Sequence, residues 1–235
     1  SEMCIRDRHI TQFTGLADIY IESGAGQGSG FSDKDYESAG AKILGSAEEL
    51  YESSEIICKV KEPQEQEFDL LKPSHVLFGY LHLASNLSMT KKLLEKKLTS
   101  IATEMIMDGN QYPLLIPMSK IAGNLAIQKG MQFLEYSSQG KGLLLSSISD
   151  ESNSKVVVIG CGEVGRASID KSIQIGASVV AIDLNKEILT ELKNTYQDKI
   201  TTIIAGSEEA KNEVRSADLV IGAVLLPGRN PPIVI

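Results

Sequence analysis

The chain has 235 residues, room for one large domain or two of ordinary size. Apolar residues make up 42% and the formal net charge is −8, so the chain reads as a globular protein whose field repels nucleic acid and anionic membrane surfaces. Cys4, Cys58 and Cys161 form no CxxC pair, which offers neither a disulfide framework nor a zinc site.

No apolar run reaches the roughly 20 residues of a membrane span, and no signal peptide opens the chain, so a cytoplasmic protein is expected. Residues 1–8 (SEMCIRDR) carry no strand or helix period and are set aside as a non-native leader. Residues 18–22 read as a strand, 33–39 as a helix capped by Ser32, and 47–53 as a second helix. Residues 56–61 form a strand that Pro63 ends. The apolar run 76–81 (VLFGYL) has the mark of a strand buried on both faces. Residues 87–97 are helical, with Lys91, Lys92, Lys96 and Lys97 on a solvated face, and 99–103 is the next strand. A Pro-punctuated loop covers 110–117. Ser119 is the expected N-cap of a helix over 120–136 that bridges two domains, and 146–154 is a Ser-rich loop.

The second half alternates strands at 155–159, 178–182, 200–204 and 218–224 with helices at 162–176, 186–196 and 208–215. The expected fold is therefore α/β, with two Rossmann-like doubly wound domains. The first is a catalytic domain over 9–118, followed by a connecting helix over 119–136 and a dinucleotide-binding domain over 137–235. Both domains read as truncated, since the chain stops at Pro231-Pro232-Ile233-Val234-Ile235 without a closing element.

Gly160-Cys161-Gly162-Glu163-Val164-Gly165 fits GxGxxG directly after a Val-rich strand, and Asp183 closes the next strand 18 residues after Gly165. Gly160 permits the tight turn, Gly162 lets the pyrophosphate approach, and Gly165 lets helix and strand pack closely. Asp183 would accept from the adenosine ribose hydroxyls, and its charge would repel a 2′-phosphate, so the expected cofactor is NAD, with Lys186 the one residue pointing toward NADP. Val224, at the end of the fourth strand, either covers the nicotinamide side or is an ordinary buried residue.

The histidines are His9, His75 and His82. His82 follows the run 76–81 at its C-terminal end, where clefts of α/β sheets lie, whereas His75 precedes it. A histidine there can shuttle a proton, or it can be structural. Lys61 also sits at a C-terminal strand edge, either holding a carboxylate or carbonyl or simply solvated.

Taken together, Glu22-Ser23-Gly24-Ala25-Gly26 with Gly28-Ser29-Gly30-Phe31, Lys59-Val60-Lys61-Glu62-Pro63, Tyr80-Leu81-His82-Leu83-Ala84, Pro117-Met118-Ser119 with Ala122-Gly123, and the stretches 157–165 and 217–228 resemble one family. It is the family that alanine dehydrogenases share with the alpha subunit of nicotinamide nucleotide transhydrogenase. The resemblance implies NAD-dependent oxidative deamination of L-alanine to pyruvate and ammonium. It makes His82 the catalytic acid/base, Lys61 the substrate anchor, Ser119 a serine near the cofactor phosphates, and Asp183 the ribose acid. It also implies a homo-hexamer. His82 favours the dehydrogenase, because the transhydrogenase stretch lacks it. The family's substrate-binding arginine has no counterpart, nor have its downstream aspartate and C-terminal segment. Residues 146–151 (SSISDE) replace a Gly/Pro-rich loop, and Asn124 stands where an arginine is usual. The chain by itself is accordingly expected to be inactive. Alternatives are the transhydrogenase subunit, a saccharopine- or carboxyethylornithine-type dehydrogenase, and a non-enzymatic NAD-binding regulator.

Overall fold

The structure is a computed structural model that describes residues 7–109, 111–146 and 154–224. The leader up to residue 6, most of the Ser-rich loop and the stretch beyond Val224 lie outside the described residues. The chain divides between Glu104 and Met105 into two units.

The first unit holds α1 (Asp7–Phe13), β1 (Tyr20–Glu22), α2 (Asp33–Ser38), β2 (Lys42–Leu44), α3 (Ala47–Ser53), β3 (Ile56–Cys58), β4 (Val76–Gly79), α4 (Leu87–Lys96) and β5 (Thr99–Ala102). Asp7 and Arg8 begin α1, so the helix starts within the stretch read as having no period. Ser32 caps α2 in a capping box with Asp35, as its position before an acidic first turn suggests. Strand β2, not anticipated, has only three residues, too few to show a period of two.

β1 and β2 pair in parallel, as do β3, β4 and β5 in that order. The central β4 is more one-sided than its apolar sequence suggests. Leu77 and Leu81 are inaccessible, while Val76 and Phe78 are half-buried. Leu77 and Leu81 share a core with Tyr51, Ile57, Phe68, Leu71, Met89 and Leu93. β3 ends at Cys58, yet its pairing with the β4 chain continues: Lys59 N–H donates to Phe78 O at 2.9 Å, and Tyr80 N–H to Val60 O at 3.3 Å.

The second unit holds α5 (Leu115–Leu134), β6 (Lys155–Ile159), α6 (Glu163–Gln174), β7 (Ser178–Asp183), α7 (Lys186–Tyr196), β8 (Ile200–Ile204), α8 (Glu208–Arg215) and β9 (Leu219–Gly222). Its sheet is parallel with the order β8-β7-β6-β9. Successive strands leave β6 in one direction, and β9 returns to its other side. This switch point opens the crevice in which doubly wound sheets bind ligands. The residues of β6 alternate between two cores. Val156 and Val158 join Ile127, Ile169, Leu189 and Leu192, while Val157 and Ile159 join Val180, Ile203 and Ala210. Both faces are covered by helices, and each buried aliphatic side chain contributes roughly 1.5–3 kcal/mol.

Helix α5 starts five residues before the expected position, and Ser119 lies inside it, buried, rather than capping it. Leu114 is the N-cap, and Pro117 falls in the first turn, where a missing N–H loses no intrahelical bond. The prolines that read as loop punctuation therefore sit at a helix start. The buried face of α5, with Ser119, Gly123, Ile127, Gly130 and Leu134, packs within the second unit. A Cβ on Gly123 would stand 2.4 Å from Val164 O and 2.6 Å from Ala167 Cβ, so only glycine allows α5 this close to α6. The buried Ser168 hydroxyl bonds Gly123 O at 3.1 Å across the same contact.

Candidate functional site

In the first unit, Lys61 and His82 follow the ends of the adjacent parallel strands β3 and β4. Gly79 makes this pairing possible: a Cβ there would stand 2.4 Å from Lys59 O. Lys61 is exposed. Lys59 instead turns to an ion pair with Glu67, which also accepts from Tyr51 Oη at 3.1 Å and Gln64 N–H at 2.6 Å. Burial pushes Glu67 up, but Lys59 and the Gln64 N–H outweigh it and leave the carboxyl below its ordinary range. Burial and the facing Glu67 raise the Tyr51 phenol.

His82 has φ 46° and ψ 42°, left-handed backbone uncommon for a residue with a Cβ. Its side chain is 47% exposed. Glu104, two residues past β5 and only 7% exposed, meets this turn from the neighbouring strand. Its Oε1 accepts from His82 N–H at 2.7 Å, and its Oε2 from Leu81 N–H at 3.3 Å. The same Oε1 lies 3.9 Å from His82 Nδ1. Nearby in sequence, Glu62 Oε2 and Thr103 Oγ1 are buried without a hydrogen-bond partner among the described residues.

His75 stands at the other end of β4, buried. Its Nδ1 accepts from Lys72 N–H at 3.1 Å, and its ring meets Tyr51 edge-on. Burial chiefly lowers its pKa, with a smaller push from Lys72, while a bond to the Tyr51 backbone and the charge of Glu52 oppose. Its buried ring and its bond from the Lys72 N–H give it a structural place in the fold.

In the second unit, Gly160, Gly162, Glu163, Val164, Gly165, Asp183 and Val224 gather at the C-terminal edge of β6, β7 and β9. Gly160 has φ 90°, and a Cβ on it would stand 2.8 Å from Val224 N. A Cβ on Gly165 would stand 1.9 Å from Gly160 O. These two glycines are therefore required by the turn itself. Gly162 differs: a Cβ there meets nothing within 4 Å, and it is the N-cap of α6 without a side-chain cap. Its missing side chain keeps open the approach to a helix N-terminus, where an anion is stabilised. Glu163 is exposed, and Val164 and Val224 are half-buried.

Asp183 ends β7 with both oxygens engaged. Oδ2 accepts from Cys161 N–H at 2.6 Å, and Oδ1 from Asn185 N–H at 2.8 Å. A carboxylate has about four acceptor sites, so capacity remains for two ribose hydroxyls. Leu184 beside it is 70% exposed. Cys161 is inaccessible, and burial, with the facing Asp183, pushes its thiol up to about 12, so this cysteine stays protonated and unreactive. An open helix N-terminus, glycines in register and a strand-end acid fit a dinucleotide.

Two residues escaped the sequence reading. Glu104 follows the strand expected at 99–103 and carried no reading of its own; its signal was an acid placed just past a strand's C-terminal end. Arg166 forks onto Glu191 at 2.9 and 2.7 Å, tying α6 to α7, and a separation of 25 residues gives no local sign of it.

The switch-point sheet with this turn defines a doubly wound α/β protein of the dinucleotide-binding kind. A family model described as Alanine dehydrogenase/PNT, N-terminal domain matches residues 9–122, and its C-terminal counterpart matches residues 126–235. An alanine dehydrogenase of Methanococcus maripaludis is 43% identical over 215 residues, which is 91% of this chain and 58% of that protein. A solved L-alanine dehydrogenase superposes with a TM-score of 0.89 at 39% identity, covering 98% of this chain and 64% of that one. A transhydrogenase structure from Sinorhizobium meliloti, at 24% identity and a TM-score of 0.78, covers 96% of this chain and 66% of that one and shares the fold. The chain belongs to the alanine dehydrogenase/PNT family, and it spans less than three fifths of the curated relative's length. Among the described residues no helix is long and apolar enough to cross a membrane.

Proposed function

We propose that the protein carrying this chain is an NAD-dependent alanine dehydrogenase that converts L-alanine, NAD⁺ and water to pyruvate, ammonium, NADH and a proton. The observation that carries the reading is a half-exposed histidine, His82, and an exposed lysine, Lys61, following the C-terminal ends of two adjacent paired strands, in a chain that also holds a GxGxxG turn with a strand-end acid. Relatives named alanine dehydrogenase at about 40% identity support it.

NAD, when bound, supplies the hydride acceptor for the alanine Cα. The Gly162–Gly165 turn and the N-terminus of α6 would hold its pyrophosphate, with Ser119 on the side of α5, and Asp183 would hold the ribose hydroxyls. Val224 would cover the nicotinamide side. Lys61 anchors the substrate carboxylate through charge and a donated hydrogen bond. The substrate ammonium first gives up a proton, the one released overall, so that hydride can leave. Water adds to the iminium carbon left behind. His82 then takes a proton from the added water and returns it to nitrogen, and as the C–N bond breaks the remaining hydroxyl proton passes through His82 to the departing ammonia, leaving the carbonyl and ammonium. The domain roles follow: the residues before the connecting helix act on the substrate and those after it hold the cofactor. A homo-hexamer is the proposed assembly.

His82→Ala in the whole protein is expected to lower alanine-dependent NADH formation by a factor of 10² or more, in the range of general acid/base catalysis. NADH affinity, read by fluorescence titration, should be retained. Undiminished turnover in that variant removes His82 from the mechanism.

A further inference from the structure

We propose that Glu104 is a positioning residue for His82: its carboxylate locks the histidine's backbone in the left-handed conformation and presents the imidazole in one orientation. The inference rests on the reading of His82 as the acid/base.

The geometry begins with register. Gly79 pairs with Ala102, and two residues further along each strand stand Leu81 and Glu104. Glu104 is thus placed against the peptide units where the chain leaves β4. The carboxylate collects the N–H groups of Leu81 and His82, one on each oxygen. Bonds to a charged acceptor are stronger than neutral ones, and two converging N–H groups fix the peptide planes on both sides of Leu81 Cα. The His82 carbonyl is pinned as well, accepting from Ser85 N–H at 3.0 Å and Ser85 Oγ at 2.9 Å. Lys97, Gln139 and Gln197 take a similar φ as helix C-caps, whereas His82 takes it at a strand exit, where a left-handed non-glycine residue needs its surroundings to hold it.

Burial sharpens the argument. A carboxylate taken from water is costly unless its oxygens are satisfied. Packing alone would be served better by an apolar side chain at this strand end. Glu104 instead spends its acceptors on the backbone of the one exposed histidine in the turn and places Oε1 3.9 Å from Nδ1. At that distance it makes no hydrogen bond to the ring, so both ring nitrogens stay available to substrate or water.

The test is a double-variant cycle in the whole protein. Glu104→Gln keeps the shape but replaces one acceptor oxygen with an NH₂ that opposes an N–H. It should lower kcat tenfold or more while KM for alanine and the affinity for NADH move less than threefold. In a His82→Ala background the same change should have no further effect, because nothing is left to position. Wild-type kcat in Glu104→Gln, or an equal loss with and without His82, overturns the proposal. A second readout needs no turnover: the rate of His82 modification by diethyl pyrocarbonate, mapped by peptide mass, should change threefold or more in Glu104→Gln. An unchanged rate overturns the proposal even if the protein acts on another substrate. Conversely, a changed rate together with full turnover in His82→Ala overturns the acid/base reading alone. Glu104→Asp, which keeps the buried charge but shortens its reach, gives the same readouts if the glutamine variant does not fold.

Discussion

Two histidines flank β4 and do opposite things. His82 is exposed beyond the strand's C-terminal end. His75 is buried before its start, with Nδ1 committed to the Lys72 N–H. Protonating His75 would abolish that acceptor and place a charge in the core. Burial holds its folded pKa below the ordinary imidazole range, so the unfolded chain binds the proton more readily. The stability it contributes is therefore fully present above about pH 6.5 and is lost as the pH falls. Melting temperatures followed from pH 7.5 to 5 should decline, and the decline should be shallower in His75→Gln, which keeps an acceptor without a titrating ring. Equal slopes would show that His75 has no part in the acid sensitivity. The distinction between the two histidines was legible from strand direction alone, since one precedes and one follows the same apolar run. Glu104 was not, because its role lies in a hydrogen bond between residues 22 apart and depends on a register that no single segment displays.

At the scale of elements, the strands and helices of the second unit were legible because β-branched runs and capped helices alternate at regular intervals. Helix α5 was misread at its start. Pro113 and Pro117 looked like a loop, but prolines fit a helix start, and further along the same helix Gly123 packs against α6. That contact can be weighed. Gly123→Ala raises helix propensity by about 1 kcal/mol, whereas overpacking a close contact costs about 1–3 kcal/mol. The methyl would meet Val164 O at 2.4 Å and Ser168 N at 3.0 Å, backbone atoms of a helix that cannot rotate away. The penalty should prevail, and denaturant unfolding should show a net loss of about 1–2 kcal/mol. A gain in stability would mean that α5 shifts on α6 without cost.

For the molecule as a whole, the proposed labour is divided between the units, so the two halves of the reading are separable. NADH at a hundredfold excess over its Kd should stabilise the protein by about 2.7 kcal/mol, and His82→Ala should keep that gain. Gly165→Ala, whose methyl would press against Gly160 O, should lose it. A ligand-induced rise in melting temperature that survives Gly165→Ala would locate the dinucleotide elsewhere. The candidate turn was legible as GxGxxG with an acid at the next strand end. What the sequence could not display is that the three glycines have different grounds: two are demanded by the chain's own backbone, and only Gly162 is left bare for something else.

Asp183 carries a consequence for how the site can evolve. The acid that would select the ribose also ties Cys161 and Asn185, joining the first strand–helix turn to the start of the next helix. Under the proposed ribose contact, cofactor preference and the shape of the glycine turn ride on one side chain. A lineage drifting toward the phosphorylated dinucleotide cannot simply exchange the acid, because the exchange unties the cradle that either cofactor needs. An exchange at Asp183 that keeps the turn must therefore supply another acceptor for the Cys161 and Asn185 N–H groups.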